Sequence, residues 1–195
     1  KLAEAKAKLV AKADTTELST AKADLDTKAK EVVSTEGKTK ATVDAYNNAK
    51  AAAEAAVTAA EAVINDENVT ATAVAEALAN VNAKKAALEA AKAALVDKVT
   101  EAQKTALGNA GTDLAVLGET DLAGKTKATA DAYKVETGKL TADIEEAKRE
   151  AAAILADPEN KTQAEAALVQ SKIEALKAKL AEAKAKLVAK ADTTE

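Results

Sequence analysis

Residues 162–187 read TQAEAALVQSKIEALKAKLAEAKAKL. Within them Val169, Ile173, Leu176, Leu180, Ala183 and Leu187 recur at alternating spacings of four and three. That spacing lays one apolar stripe along a helix and leaves Lys, Glu and Gln to the other face. Thr162 with Glu165 has the S/T-x-x-E form of a capping box, which marks a helix start. The stretch therefore predicts a long amphipathic helix that must bury its stripe against other helices.

Its end opens a repeat. Lys179–Glu195 reads KLAEAKAKLVAKADTTE, and Lys1–Glu17 reads the same, letter for letter. Leu9 recurs as Leu187, a period of 178 residues, so one period of a tandem array plus the start of the next is expected. A weaker repeat lies inside the period. Gly37–Tyr46 reads GKTKATVDAY and Gly124–Tyr133 reads GKTKATADAY, while Leu95-Val96 stands where Leu9-Val10 and Leu187-Val188 stand. Each period thus holds two modules, of 86 residues (9 to 95) and 92 residues (95 to 187). Periods of this kind signal stacked supersecondary units. They point away from an enzyme, because an active site is rarely needed many times in a row.

Each module reads as three helices, A, B and C. The expected layout is residues 1–13 as the end of the preceding repeat's last helix, 14–96 as module one, 97–188 as module two and 189–195 as the start of the next repeat. In module one, helix A spans roughly 16–34, with the stripe Leu18, Ala21, Leu25, Ala29 and Val32. Asp14 and Glu17 suggest a capping box at its start; alternatively A continues the preceding helix through Ala13. Gly37 is expected to end it. Helix B runs from about 39 to 64, until Asn65-Asp66-Glu67-Asn68 breaks it. Helix C starts near Thr70, with Val74, Val81, Leu88 and Leu95 a heptad apart. Val99, Ala102 and Ala106 carry that stripe on to Gly108, which predicts that C of module one continues into A of module two as one shared helix. In module two, helix B has Ala130, Tyr133, Leu140, Ile144, Ala147, Ala151 and Ile154 in register, and Pro158 sits in the B–C turn. Gly108, Gly111, Gly118 and Gly124 fall in helix A, each at a cost of about 1 kcal/mol relative to Ala. Leu114, Val116, Leu117 and Leu122 fit no single stripe there, so this segment is expected to be kinked, shortened or partly unwound. The fold class expected is all-α: tandem antiparallel three-helix bundles joined end to end by a shared long helix, a spectrin-like rod.

Composition narrows the function. Hydrophobic residues make up 48% of the chain, and Ala supplies more than half of them. There is no Phe, Trp, Met, Cys or His, and there are two Tyr. Such a core is thin, and stability must come from many small contacts and close helix approach. Without Cys or His there are no disulfides, no thiolate metal sites and no usual proton shuttle. The net charge of −4, with both signs interspersed, gives no basic stripe for nucleic acid. No apolar run reaches the roughly 18 residues of a membrane span. No phosphate-binding Gly-rich loop and no nucleophile–base pair is present. The chain is read as no enzyme, with no cofactor, no metal and no catalytic residue.

The B–C portions carry a family resemblance. Glu61–Leu95 reads EAVINDENVTATAVAEALANVNAKKAALEAAKAAL, and Ala152–Leu180 reads AAILADPENKTQAEAALVQSKIEALKAKL. Both resemble FIVAR, the "found in various architectures" repeat of Gram-positive cell-wall-anchored surface proteins. Its pattern is a helix ending in Val/Ile-Leu, a short D-x-N-A-T-like turn, then a helix with Val, Ala-Leu and Leu at heptad spacing. The resemblance covers roughly 37–96 and 124–188. It departs at the turn, where Val69 and Lys161 stand in place of the usual Ala. It implies a tandemly repeated, wall-anchored protein outside the cell, and no catalytic residues.

Four features could carry binding, and each has a plainer reading. Asp66-Glu67-Asn68 and Asp157-Glu159-Asn160 gather acidic oxygens, but these turns are too short to supply the 6–8 ligands of Ca²⁺; helix capping explains them better. Tyr46 and Tyr133 could stack a ligand, or could plug one end of an Ala-rich bundle with the hydroxyl in water. The Lys/Glu run from Lys177 to Lys190 could face a partner, but reads better as a solvated face with i,i+4 pairs. Thr on Ala-rich helices could bind ice if regularly spaced on one flat face, but here Thr gathers near helix ends (Thr15, Thr16, Thr35, Thr39, Thr70, Thr72, Thr126, Thr162), where capping accounts for it better.

The reading is a structural repeat of a bacterial surface adhesin, a stiff stalk that holds a distal binding domain off the cell wall. The alternative is a helical binding module for a host protein such as albumin, immunoglobulin or fibronectin. A binder wants an exposed aromatic or Arg anchor, and Arg149 is the only Arg. The partners expected are flanking copies of the same repeat, with the segment itself a monomer that touches neither nucleic acid nor membrane.

Overall fold

A computed structural model describes residues 12–191. The expected helix over 1–11 and the part of the next repeat over 192–195 lie outside the described residues. Among those described there are six α-helices and no named strand: α1 Thr16–Lys30, α2 Lys40–Asn65, α3 Ala71–Ala93, α4 Glu101–Gly118, α5 Lys127–Ala156 and α6 Gln163–Ala185. The chain divides between Val96 and Asp97 into two compact units. In the first, α1, α2 and α3 each pack against the other two; in the second, α4, α5 and α6 do the same.

The stripes close each core. In the first unit Leu18, Leu25 and Ala29 of α1 meet Tyr46, Ala53, Ala56 and Ala60 of α2 and Val81 and Leu88 of α3. In the second unit α6 supplies Val169, Ile173, Leu176 and Leu180, and α5 faces them with Ala147, Ala151 and Ile154. Leu140 and Ile144 pack at the edge of that core. Small Ala side chains on the middle helix let the bulky residues of its neighbours reach deep, so a thin composition still gives a closed interior. Ion pairs seam the helices outside it. Lys28 meets Glu89 at 2.7 Å and Lys92 meets Glu31 at 2.6 Å in the first unit, and Lys172 meets Glu150 at 2.6 Å in the second. Half-exposed pairs of this kind contribute at most about 1 kcal/mol each.

The shared helix does not form. α3 stops at Ala93 and α4 starts at Glu101. The residues between include Val96, Val99 and Thr100, whose β-branching stiffens them against the helix. Thr100 then starts α4 afresh: its hydroxyl accepts from the Gln103 backbone N–H at 3.2 Å, and the Gln103 side chain accepts from the Thr100 N–H at 3.1 Å. This reciprocal pair satisfies two donors that a helix start would otherwise leave open. Thr100→Ala should therefore destabilise the second unit by about 0.5–2 kcal/mol, read as a lower urea midpoint at unchanged slope.

α4 also departs from expectation. It is an unbroken 18-residue helix through Gly108 and Gly111, and it is shortened as expected only at its end, where the chain leaves the helix after Gly118. Its inward stripe is Leu107, Ala110 and Leu114, all buried, while Ala102 and Ala106 face outward. The capping box and two buried Leu outweigh the cost of two Gly. Nothing lies within 4 Å of where a Cβ at Gly108 or Gly111 would stand, and neither has positive φ. Gly108→Ala and Gly111→Ala should each raise stability by about 0.5–1 kcal/mol, measured as an upward shift of the denaturation midpoint.

At the start of the chain three smaller expectations also give way. α1 ends at Lys30, because Glu31 is already extended at ψ 132°. Extended backbone alternates its faces, so Val33 packs onto the core while Val32 is 95% exposed. Gly37 adopts φ 71°, but in the turn before α2 rather than at the end of α1. Asp14 and Glu17 make no capping box. Asp14 Oδ1 instead accepts from the Thr16 N–H at 2.9 Å, and the N-cap is Thr15, without a side-chain cap bond.

Candidate functional site: backbone straps on the middle helices

The repeated decapeptide GKTKAT-x-DAY covers the turn into α2 and the turn into α5. Thr39 and Thr126 are the N-caps, yet neither hydroxyl caps its helix. Thr39 Oγ1 instead lies 2.8 Å from Thr42 Oγ1, and Thr126 Oγ1 lies 2.8 Å from Thr129 Oγ1. The second Thr of each pair donates back to the carbonyl of the first, at 3.0 and 3.2 Å. That leaves its oxygen free to accept from outside. Thr42 Oγ1 takes the Val96 N–H at 3.4 Å and Thr129 Oγ1 takes the Val188 N–H at 3.2 Å. The Thr39 N–H donates to Val96 O, and the Thr126 N–H to Val188 O, each at 2.8 Å. In the second unit the Lys190 N–H adds a bond to Gly124 O at 2.9 Å, and Lys125 and Ala189 form an antiparallel bridge. The chain leaving the last helix of a unit is thus strapped to the start of its middle helix. The internal repeat is the strap's receptor, and the Leu-Val pair begins the strap.

The chain entering the second unit is held at the other turn. The Val99 N–H donates to Lys161 O at 2.8 Å, the Gln163 N–H donates to Asp97 O at 3.1 Å, and Lys98 bridges antiparallel to Thr162. Val99 is buried, Lys98 pairs with Glu159 at 2.6 Å, and Gln103 Nε2 donates to Gln163 O at 3.1 Å. Thr162 and Glu165 close the expected capping box beside it. The Thr162 backbone N–H and hydroxyl both bind the Glu165 carboxylate and hold it below the ordinary carboxylate range. A folded value below the unfolded one makes this stabilisation present at neutral pH and lost as pH falls through the acid range. In the first unit Lys12 and Ala13 line one surface hollow with Glu67, Asn68, Val69, Thr70 and Ala71, so the incoming chain meets the same turn there.

The two straps of a unit lie at opposite ends of its middle helix. The incoming one sits just beyond the C-terminus of α5 and the outgoing one at its N-terminus. α5 has 30 residues and α2 has 26, which at 1.5 Å per residue spans about 45 and about 39 Å. The chain therefore enters and leaves each unit at opposite ends.

The residues singled out in the sequence take structural places. Tyr46 and Tyr133 are both 4% exposed, which leaves no ring face for a ligand. The Tyr133 hydroxyl lies 3.1 Å from Thr120 Oγ1 rather than only in water. Asp66 Oδ1 accepts from the Asn68 N–H at 2.8 Å, and Asp157 accepts from Asn160 Nδ2 at 3.0 Å, so these acidic turns are folded on themselves. In the Lys/Glu run, Lys177 pairs with Asp113 at 2.7 Å and Lys186 with Glu182 at 2.7 Å. Among Thr residues, Thr70, Thr100 and Thr162 cap helices through their side chains. Among the described residues no group of three acidic side chains could hold a metal ion, and no helix is long and apolar enough to cross a membrane. The straps were not foreseen. The T-E-A-Q pattern at 100–103 signalled one of them, as did the GKTKAT repeat.

No protein-family model matches the chain, and no curated protein matches it. A solved structure described as "Characterization of extracellular matrix binding protein- (Embp)-mediated Staphylococcus epidermidis adherence to fibronectin" is similar at 24% identity, over 88% of this chain and 99% of that one, with a TM-score of 0.33. A score of that size is too low to equate the two folds.

Proposed function

We propose that the chain is a structural repeat segment of a bacterial surface adhesin, a stalk of tandem three-helix bundles that spaces a distal binding domain from the cell wall. The observation that supports this most is the pair of straps at opposite ends of the second unit's middle helix, with the first unit's chain entering and leaving at the matching ends. A spacer needs each unit to pass the chain from one end to the other, and a fixed exit at each end does that. The FIVAR-like B–C pattern and the repeated ends support the same reading, with flanking copies as the natural neighbours, a wall-anchored location and a monomeric state. No catalytic role belongs to it.

Small-angle scattering on chains of one, two and four units tests it. A maximum dimension that grows by a constant increment per unit is the expected result. Growth only as the cube root of mass, the behaviour of a globule, would overturn it. The binding-module alternative has one observation in its favour: Leu168 is 60% exposed beside a hollow lined by Ala153, Ile154 and Val169. Submicromolar capture of albumin, immunoglobulin or fibronectin by the purified segment, lost in Leu168→Asp, would favour it instead.

A further inference from the structure

We infer that tension along the chain is carried through the middle helix of each unit, with the straps as its couplings. The inference rests on the spacer reading for its purpose, and on the geometry of each unit for its content. Asp97–Val99 precede the first helix of the second unit, and Val188–Lys190 follow its last. A pull on either end therefore reaches a strap before it reaches α4 or the last turn of α6.

The outgoing strap is tied by four hydrogen bonds. They run from the Thr126 N–H to Val188 O, from the Val188 N–H to Thr129 Oγ1, from the Lys190 N–H to Gly124 O, and from Lys190 Nζ to Ala123 O. All four end on the N-terminal turn of α5 or the residues just before it. The incoming strap is tied to Glu159 and Lys161 in the turn after α5, and to Gln163, the first residue of α6. Load applied at the ends thus passes from strap to strap along α5. Without the outgoing strap the same pull would act on Ala185 and peel α6 from its last turn, one hydrogen bond at a time.

Two features of the fold agree with this division. The middle helix is the longest of its unit, at 26 residues in the first and 30 in the second. The decapeptide shared by the two units is the receptor of the outgoing strap, where the repeated chemistry is needed.

Single-molecule rupture at constant force tests the inference on the full 195-residue chain, which has no Cys of its own. One attachment pair, Lys1→Cys with Glu195→Cys, loads the straps. A second, Glu101→Cys with Glu182→Cys, grips α4 and α6 inside them; both glutamates are largely exposed. Thr129→Val keeps the side-chain shape and removes the hydroxyl that accepts the Val188 N–H. Pulled through the ends, this variant should speed one of the two unit ruptures about fivefold, the factor that follows from losing one ordinary hydrogen bond. Pulled through the internal pair, it should change the rate by less than about twofold, since the strap is then unloaded. Equal acceleration in both geometries would overturn the inference, because the hydroxyl would then only stabilise the fold. No acceleration through the ends would overturn it as well. Either failure leaves the scattering test of the spacer untouched, since that reads length and this reads response to load.

Discussion

Leu180→Ala should lower the stability of the second unit by about 2–5 kcal/mol. Leu180 is 0% exposed, in the C-terminal half of α6, within the core formed with α4 and α5. The cost of such a change depends on how far neighbours can relax into the hole. At this level α5 offers Leu140, a partly buried side chain long enough to lean into the hole, so the lower half of the range is expected. A domain of this size has only about 5–15 kcal/mol in all. The neighbouring Lys179 is exposed, and Lys179→Ala should move stability by no more than about 0.5 kcal/mol. Urea unfolding followed by far-ultraviolet circular dichroism suits a chain without Trp. Equal midpoint shifts from the two variants would mean that the wrong face of α6 had been placed inward.

The same contrast explains what could be read beforehand. α6 was legible because its stripe is built from Val, Ile and Leu, which are costly on the outside. Val169, Ile173, Leu176 and Leu180 all lie in the core as their spacing requires. α3 followed the same rule at Val81 and Leu88, with its start at Thr70. The reading failed where Ala filled the stripe. Ala sits as comfortably in water as in a core, so Ala102 and Ala106 seemed to extend a register that the chain does not keep. The true stripe of α4 is set by Leu107 and Leu114, seven residues apart with Ala110 between. Propensity alone then overstated the cost of Gly, because tertiary burial overrides it.

The straps were illegible for a different reason. They are made mostly by backbone N–H and C=O groups, which every residue has, so no side-chain pattern announces the partner. What the sequence did show was the receptor. GKTKAT recurs in both units, and Thr42 and Thr129 are the hydroxyls that take the incoming N–H. A helix-start pattern at Thr100–Gln103 was equally visible, and reading it would have ended the shared helix at the right place.

Tyr46→Ala should cost the first unit about 3–5 kcal/mol, the range for removing a buried aromatic. Tyr46 is the one large side chain that α2 buries fully; Ala53, Ala56 and Ala60 are the others. Deleting it opens a hole in that core and leaves Leu18, Leu25, Val81 and Leu88 as its bulky buried members. Tyr46→Phe keeps the ring and should cost no more than about 1.5 kcal/mol, the upper value for a single hydroxyl's hydrogen bond. In the second unit the Tyr133 hydroxyl lies within hydrogen-bond distance of Thr120, so Tyr133→Phe should lose about 0.5–1.5 kcal/mol by the same measure. A tyrosine kept for stacking a ligand would behave in the opposite way, with stability spared and binding lost. Amide exchange resolves the two cases unit by unit. Tyr46→Ala should speed exchange across α1, α2 and α3 while α5 and α6 keep their protection. Unchanged protection in the first unit would show that the ring does not close that core, and would return Tyr46 to the candidates for recognition.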